Sequence, residues 1–420
     1  MKDYSNMSKD ELIQQKNKLK EQYNKYLLEK IDLNMSRGKP CKEQLNLSNQ
    51  LLNINEYVSK DNIDLRNYGI LDGIDEAKEL FSDILNIDKN NIIIGGNSTL
   101  NMIYDVITRL YIFGYKDNIP WGRLNKVKFL CPVPGYDRHF DILDKFGFEM
   151  INIPITKDGI DMDMVEKLCK EEEYIKGIIC VPLYSNPTGT CYSKQTVERL
   201  AKMETKAKDF KIFWDNAYAI HYVYKKVELY DIFKACKKYN TQDRILYFFS
   251  TSKINFPGGG VAILAGSDNT IEDTKIHLSY QTIGYDKINQ LKTVKFLKNR
   301  ENTLKLMDKH AKILKPKFDI VLNMLEKNFK DNPILKWEQP LGGYFISVDT
   351  VEGLAKKVVS MCKELGVILT KAGATYPKRL DPKDTNIRLA PSFPTPEELK
   401  KAMEIFCLCV KIATIDKMLA

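Results

Sequence analysis

Arginine is scarce in this chain. Of its 64 Lys and Arg residues only ten are arginines, at positions 37, 66, 109, 123, 138, 199, 244, 300, 379 and 388. The side chain that grips phosphate or carboxylate with two parallel bonds is therefore rare enough for each copy to be weighed singly. CxxC pairs are missing as well. The nine cysteines lie far apart, apart from Cys407 and Cys409 on an apolar C-terminal run. That pattern indicates neither a disulfide framework nor a zinc site, and leaves reduced thiols, most of them core, in a protein expected in the cytoplasm. The polar N-terminus has no signal-peptide pattern, and no apolar run is long enough to span a bilayer, so no membrane is expected as a partner. There is no internal repeat and no low-complexity linker. The formal net charge of +9 is not concentrated anywhere: lysines are spread along the chain among acids, and nucleic acid is not an expected partner.

What is present is an ordinary globular composition, with 44% hydrophobic and 28% charged residues over 420 positions, a length that favours two domains. Ser8 and Glu11 form a capping-box pattern ahead of one amphipathic helix within residues 8 to 33. Ser36-Arg37-Gly38-Lys39-Pro40 follows as a turn that brings bare backbone close to its surroundings. The irregular loop Arg66 to Gly73 carries Tyr68 and leads into a helix over Ile74 to Leu85. After that, short apolar strands alternate with helical stretches. Asn91-Ile-Ile-Ile94 runs into Gly95-Gly96-Asn97-Ser98-Thr99 and a helix from Leu100 to Phe113, an order that makes an anion site of the helix N-terminus. The loop has neither the Gly-Lys-Ser/Thr of a Walker loop nor the three-glycine dinucleotide pattern.

Strands recur at Lys126 to Cys131, Gly177 to Val181, Lys211 to Trp214 and Arg244 to Phe249. The alternation predicts a mostly parallel α/β sheet with ligands at the carboxyl ends of its strands. Long helices are expected from about Lys287 to Phe329, then a mixed α+β region containing Gly342-Gly343-Tyr344. The stretch Ser250-Thr-Ser-Lys253-Ile-Asn-Phe-Pro-Gly-Gly-Gly260 closes the Arg244 strand. A lysine there, if desolvated, loses basicity and becomes a nucleophile towards an aldehyde; alone, it could as well be a loop lysine in water.

Five pieces now stand in one order at successive strand ends: a phosphate-type loop, an aromatic after a strand, Asn186-Pro187-Thr188-Gly189, Asp215-Asn-Ala-Tyr218 and Ser250-x-Ser-Lys253. This ordered set resembles the fold-type I pyridoxal-phosphate (PLP) enzymes over essentially the whole chain. Ser36-Arg-Gly-Lys-Pro40, Cys131-Pro-Val-Pro-Gly-Tyr-Asp-Arg-His-Phe140 and Asn386-Ile-Arg-Leu-Ala-Pro-Ser-Phe-Pro394 look more specifically like aspartate aminotransferase subgroup 1c, whose domain is similar to that of MocR-type regulators. The resemblance implies an α/β fold-type I transferase, with a mostly parallel central sheet covered by helices on both faces and a smaller α+β domain. Residues 1–49 would join the small domain, 50–305 form the PLP domain and 306–420 the small domain.

By the same resemblance Lys253 holds PLP as an imine and moves the substrate proton, Asp215 faces the pyridine nitrogen, and Asn186 and Tyr218 bond the phenolic oxygen. Tyr136 would stack on the ring. The phosphate would lie on Asn97, Ser98, Thr99, Ser250 and Ser252, with Tyr68 arriving from the second subunit of a homodimer. Arg388 would bind the α-carboxylate beside Asn186 and the Gly38 backbone, while Arg37 or Arg138 would bind a distal carboxylate. One departure is plain: Val261 stands where many relatives carry a phosphate-binding arginine. The expected reaction is amino transfer between an amino acid, aspartate or glutamate, and a 2-oxo acid. A β-lyase or an aromatic or aminoadipate aminotransferase would use the same cofactor set. A PLP-binding regulator is the non-enzyme alternative, although no winged helix fits before residue 34. Ser250-x-x-Lys253 also spells a β-lactamase motif, but glycines follow it instead of a helix and no Lys-Thr-Gly lies downstream.

Overall fold

The computed structural model describes residues 3–420. Its centre is an eight-stranded sheet in the spatial order Ile92–Ile94, Ala262–Ala265, Ile245–Ser250, Lys211–Asp215, Ile175–Cys180, Lys128–Val133, Glu149–Thr156 and Gly159–Ile160. The pairs from Ile245–Ser250 to Glu149–Thr156 are all parallel, whereas Ala262–Ala265 runs antiparallel to both its neighbours. Central parallel strands are covered on both faces, and here they read as unbroken buried runs. Because successive side chains point to opposite faces, Phe129, Phe213 and Phe248 enter one core while Leu130, Trp214 and Phe249 enter the other.

The first long helix is Lys9–Leu28, closed at its start by the expected box: Glu11 N–H donates to Ser8 Oγ and Ser8 N–H to Glu11 Oε2. Leu12 and Leu19 on this helix share a core with Leu314, Phe318 and most of the C-terminal helix Pro396–Leu419. That last helix is apolar on nearly every side from Ile405 to Ile415 because neighbours surround it; among the described residues no helix is long and apolar enough to cross a membrane. The long helical region after Lys287 is two helices, Lys287–Leu297 and Arg300–Phe329. The break falls at Lys298, whose φ is 66°, and Asn299 restarts the helix by accepting from the Asn302 N–H.

Two smaller sheets carry the other wall of the site. Leu335–Trp337, Ile346–Thr350 and Asn386–Leu389 form an antiparallel sheet in that order, with Arg388 opposite Ser347. Leu33–Asn34 pairs in parallel with Val367–Ile368, which fixes the start of the Ser36 to Pro40 turn against this region.

Candidate active site

Lys253 lies three residues beyond the carboxyl end of the Ile245–Ser250 strand. Its side chain is half-buried by surface, but the ammonium end is crowded, 5.5 Å from the Tyr218 ring centre and 5.6 Å from that of Tyr344. Loss of water pushes its pKa below the ordinary lysine value, opposed by the nearby Asp215 carboxylate. The turn that holds it is closed by Ile254 and Asn255 N–H groups donating to the Thr251 carbonyl, at 2.8 and 3.0 Å.

Asp215 ends the neighbouring strand and is 2% exposed. Its Oδ2 accepts from His139 Nε2 at 2.9 Å and from Thr99 Oγ1 at 3.5 Å. Its Oδ1 has no hydrogen-bond partner among the described residues. A buried carboxylate oxygen left unbonded is costly, and its presence marks a position built to meet a donor from outside the chain. A protonated pyridine nitrogen supplies one such donor. Tyr136, at the cap of the helix Asp137–Lys145, packs edge-on against His139 with ring centres 4.9 Å apart, which ties the aromatic after the strand to the Asp215 pair.

The loop from the strand Ile92–Ile94 leads directly into a helix. Ser98 caps the helix Thr99–Ile112 by accepting from the Asn101 N–H, and Ser250 Oγ donates to Ser252 Oγ, which donates to the Asn97 carbonyl at 3.2 Å. Asn97, Ser98, Ser250 and Ser252 are thus brought together with Thr99 at one helix N-terminus, where backbone N–H groups and the helix dipole favour a phosphate. Val261 is 2% exposed in an apolar core, so it contributes no cation. A cleft of about 440 Å³ opens beside Asn97 and Gly258 to Gly260, with Lys292 in its wall.

Arg388 is buried, and its Nη1 donates to Asp137 Oδ1 at 2.9 Å and to Asn186 Oδ1 at 3.2 Å. Its Nε donates to Thr370 Oγ1, whose hydroxyl donates to the Ser36 carbonyl. The guanidinium lies 4.7 Å from the centre of the Phe345 ring. Gly38 touches the same ring so closely that a Cβ there would sit 2.6 Å from Phe345 Cζ. Gly38, Asn186 and Arg388 therefore meet. Arg37 and Arg138 are exposed and no ion pair joins either to this group, and Tyr68, 84% exposed, has no side-chain hydrogen bond to it.

Sequence reasoning missed His139 and Asp137, although both stand in the quoted Tyr136-Asp-Arg-His string; the signal was the helical spacing of three that sets His139 edge-on against Tyr136. It also missed His221. Its ring is buried against the Lys253 main chain, and burial, with the Lys253 charge beside it, lowers its pKa to about 3, so the ring adds no charge beside the lysine.

The family model described as aspartate amino-transferase matches residues 7–420. The chain is 40% identical over 403 residues to an aspartate aminotransferase of Corynebacterium glutamicum, covering 95% of this chain and 93% of that one. A solved aspartate transaminase structure from the same species superposes with a TM-score of 0.95 at 39% identity, covering 98% of both chains. An α-aminoadipate aminotransferase of Thermus thermophilus, complexed with N-(5'-phosphopyridoxyl)-L-leucine, shares the fold at a TM-score of 0.74 and 17% identity, covering 94% of this chain and 95% of that one.

Proposed function

The chain belongs to the aspartate amino-transferase family, and from that premise we propose that it moves the amino group of aspartate or glutamate to a 2-oxo acid, using PLP held at Lys253. Amino transfer itself follows from the family and from the relative at 40% identity. The observation that carries the residue assignment is the unbonded, buried Oδ1 of Asp215 opposite a desolvated lysine.

Bound PLP supplies an aldehyde that captures the amine and a ring that accepts the electrons left when the substrate Cα–H bond breaks. The protein's part is then legible residue by residue. Desolvation lets Lys253 shed its proton cheaply, so its neutral amine can take the Cα proton and return it. Asp215, oriented by His139, would keep a proton on the ring nitrogen of the bound cofactor. Tyr218 and the Asn186 amide NH2 donate to the phenolic oxygen, a role open to Asn186 because its carbonyl oxygen is committed to Arg388. Tyr136 would cover one ring face, Asn97, Ser98, Thr99, Ser250 and Ser252 would hold the phosphate, and Arg388 would exchange Asp137 for the substrate α-carboxylate. Arg37 is the proposed cation for the distal carboxylate, since it leaves the same turn as Gly38.

A cytoplasmic homodimer is part of this reading, as is the division at residues 49 and 305. Support for the dimer comes from exposed Tyr68, on the loop before Ile74, and from exposed Tyr280 and Ile283 at the end of the helix Asp268–Gln281, which lie close together: the Gly69 carbonyl is 2.6 Å from where a Cβ on Gly284 would sit. The test is product formation from aspartate plus 2-oxoglutarate by the PLP-loaded protein. Oxaloacetate and glutamate should appear, and Lys253→Ala should lose on the order of 1,000-fold in rate. Equal turnover by Lys253→Ala, or no product from either acidic amino acid, would overturn the assignment.

A further inference from the structure

Behind Lys253 runs a buried polar chain that no step above uses. Gln44 Nε2 donates to Tyr344 Oη at 2.9 Å and to His310 Nδ1 at 3.0 Å, while Gln44 Oε1 accepts from the Cys41 N–H at 3.2 Å. Tyr344 Oη then donates to the Lys253 carbonyl at 3.4 Å, and His310 Nε2 to the Ile254 carbonyl at 3.0 Å. Gln44, His310 and Tyr344 are each at most 2% exposed.

The bond directions are fixed by chemistry. Main-chain carbonyls only accept, so His310 carries its proton on Nε2 and offers Nδ1 as an acceptor. That nitrogen needs a donor, which sets the Gln44 amide with its NH2 inward, and the Cys41 N–H agrees by donating to the other end. Burial lowers the His310 pKa to about 4, which keeps the ring in this single-proton form at neutral pH. Fully satisfied buried networks of this kind rigidify what they touch. What they touch here is two successive carbonyls, of the lysine and of the next residue, the latter also met by Ser48 Oγ at 3.4 Å, in a turn whose Ile254 and Asn255 N–H groups donate to the Thr251 carbonyl. The three side chains come from three separate elements: the short helix Lys42–Asn46, the helix Arg300–Phe329 and the segment just before Ile346–Thr350.

We propose that Gln44, His310 and Tyr344 are positioning residues that clamp the Lys253–Ile254 backbone and so fix the direction from which the lysine amine reaches the substrate. The idea rests on Lys253 being the reacting lysine. A loosened clamp should affect turnover more than substrate binding, because small misplacements of a reacting group cost rate while Arg388 still binds carboxylate.

The test compares Gln44→Ala, His310→Ala, Tyr344→Phe and His310→Gln in the PLP-loaded protein. Val358→Ala, a core truncation in the helix Ala355–Glu364, serves as the control for general destabilisation. Expected for the first three is a fall in kcat of about tenfold with KM within about twofold, the factor carried by one hydrogen bond of ordinary net strength. Hydrogen exchange at the Ile254 and Asn255 amides should quicken about tenfold, with and without PLP. His310→Gln, whose amide can both donate to Ile254 and accept from Gln44, should recover most of both effects. The proposal is overturned if folded variants keep wild-type kcat and exchange, or if Val358→Ala reproduces their pattern. Full turnover by Lys253→Ala would instead remove the premise, an outcome separate from any result on the clamp.

Discussion

At the scale of single residues, Arg388 and Asp137 form a pair that, on the proposed assignment, would compete with substrate. The guanidinium is 5% exposed and the carboxylate 25%, so removing Asp137 leaves a buried charge in need of a partner. Asp137→Asn is expected to lower KM for aspartate about threefold to tenfold, whereas Arg388→Lys, which cannot make a two-pronged bond, should raise it about tenfold or more. Steady-state kinetics on both variants decides: a KM for Asp137→Asn that rises would mean Asp137 aids binding.

Two buried histidines set an acid limb at the same scale. The folded pKa values, about 4 for His310 and about 3 for His221, lie below the usual 6.5. Between these values the unfolded chain binds more protons than the folded one, so stability is intact above pH 6.5 and falls as pH drops. For His310 the loss at pH 4 is about 3 kcal/mol relative to pH 7. Denaturant unfolding of the wild type and His310→Gln at both pH values should show the variant losing less; equal losses would contradict the burial argument.

Elements decide which site residues can meet. Gly189 ends the Asn186 loop at φ 74°, and a Cβ there would lie 2.4 Å from Pro340 Cβ and 2.9 Å from Pro340 Cα. Gly189→Ala combines a left-handed backbone with overpacking, and about 2–4 kcal/mol of stability should be lost on chemical unfolding. A drop in kcat/KM should accompany it as Asn186 shifts from Arg388; an unchanged stability would show that the loop yields freely.

The strands and the motifs after them were legible because buried parallel strands are written as apolar runs and because their ends carry distinctive letters, as at Asp215 and Lys253. Contacts between distant segments were not. Nothing in residues 41 to 48 announces that Gln44 reaches His310 and Tyr344, and the Asp137–Arg388 pair joins residues 251 apart in the chain. Such pairings follow from how elements stack, which periodicity does not encode. The expected long helices were given no boundary between them, although the polar run Lys298 to Thr303 interrupts the apolar spacing there and the Asn299 cap marks the new start.

For the molecule as a whole, the proposed dimer places Tyr68 of each chain at the other chain's phosphate site. Tyr68→Ala and Lys253→Ala proteins, each impaired alone, should complement when unfolded together and refolded. Half the dimers would then hold one site with both residues intact, giving about a quarter of wild-type activity per chain. No recovery in a mixture shown to be dimeric would place Tyr68 outside the partner's site.

The central claim is that one lysine, made less basic by burial and faced by Asp215, carries the cofactor. Borohydride reduction of the PLP-loaded protein fixes the cofactor to whichever amine holds it, and peptide mass mapping then finds that amine. The phosphopyridoxyl mass should fall on the peptide containing Lys253 and on no other; its appearance on a different lysine, or on none, would contradict the account.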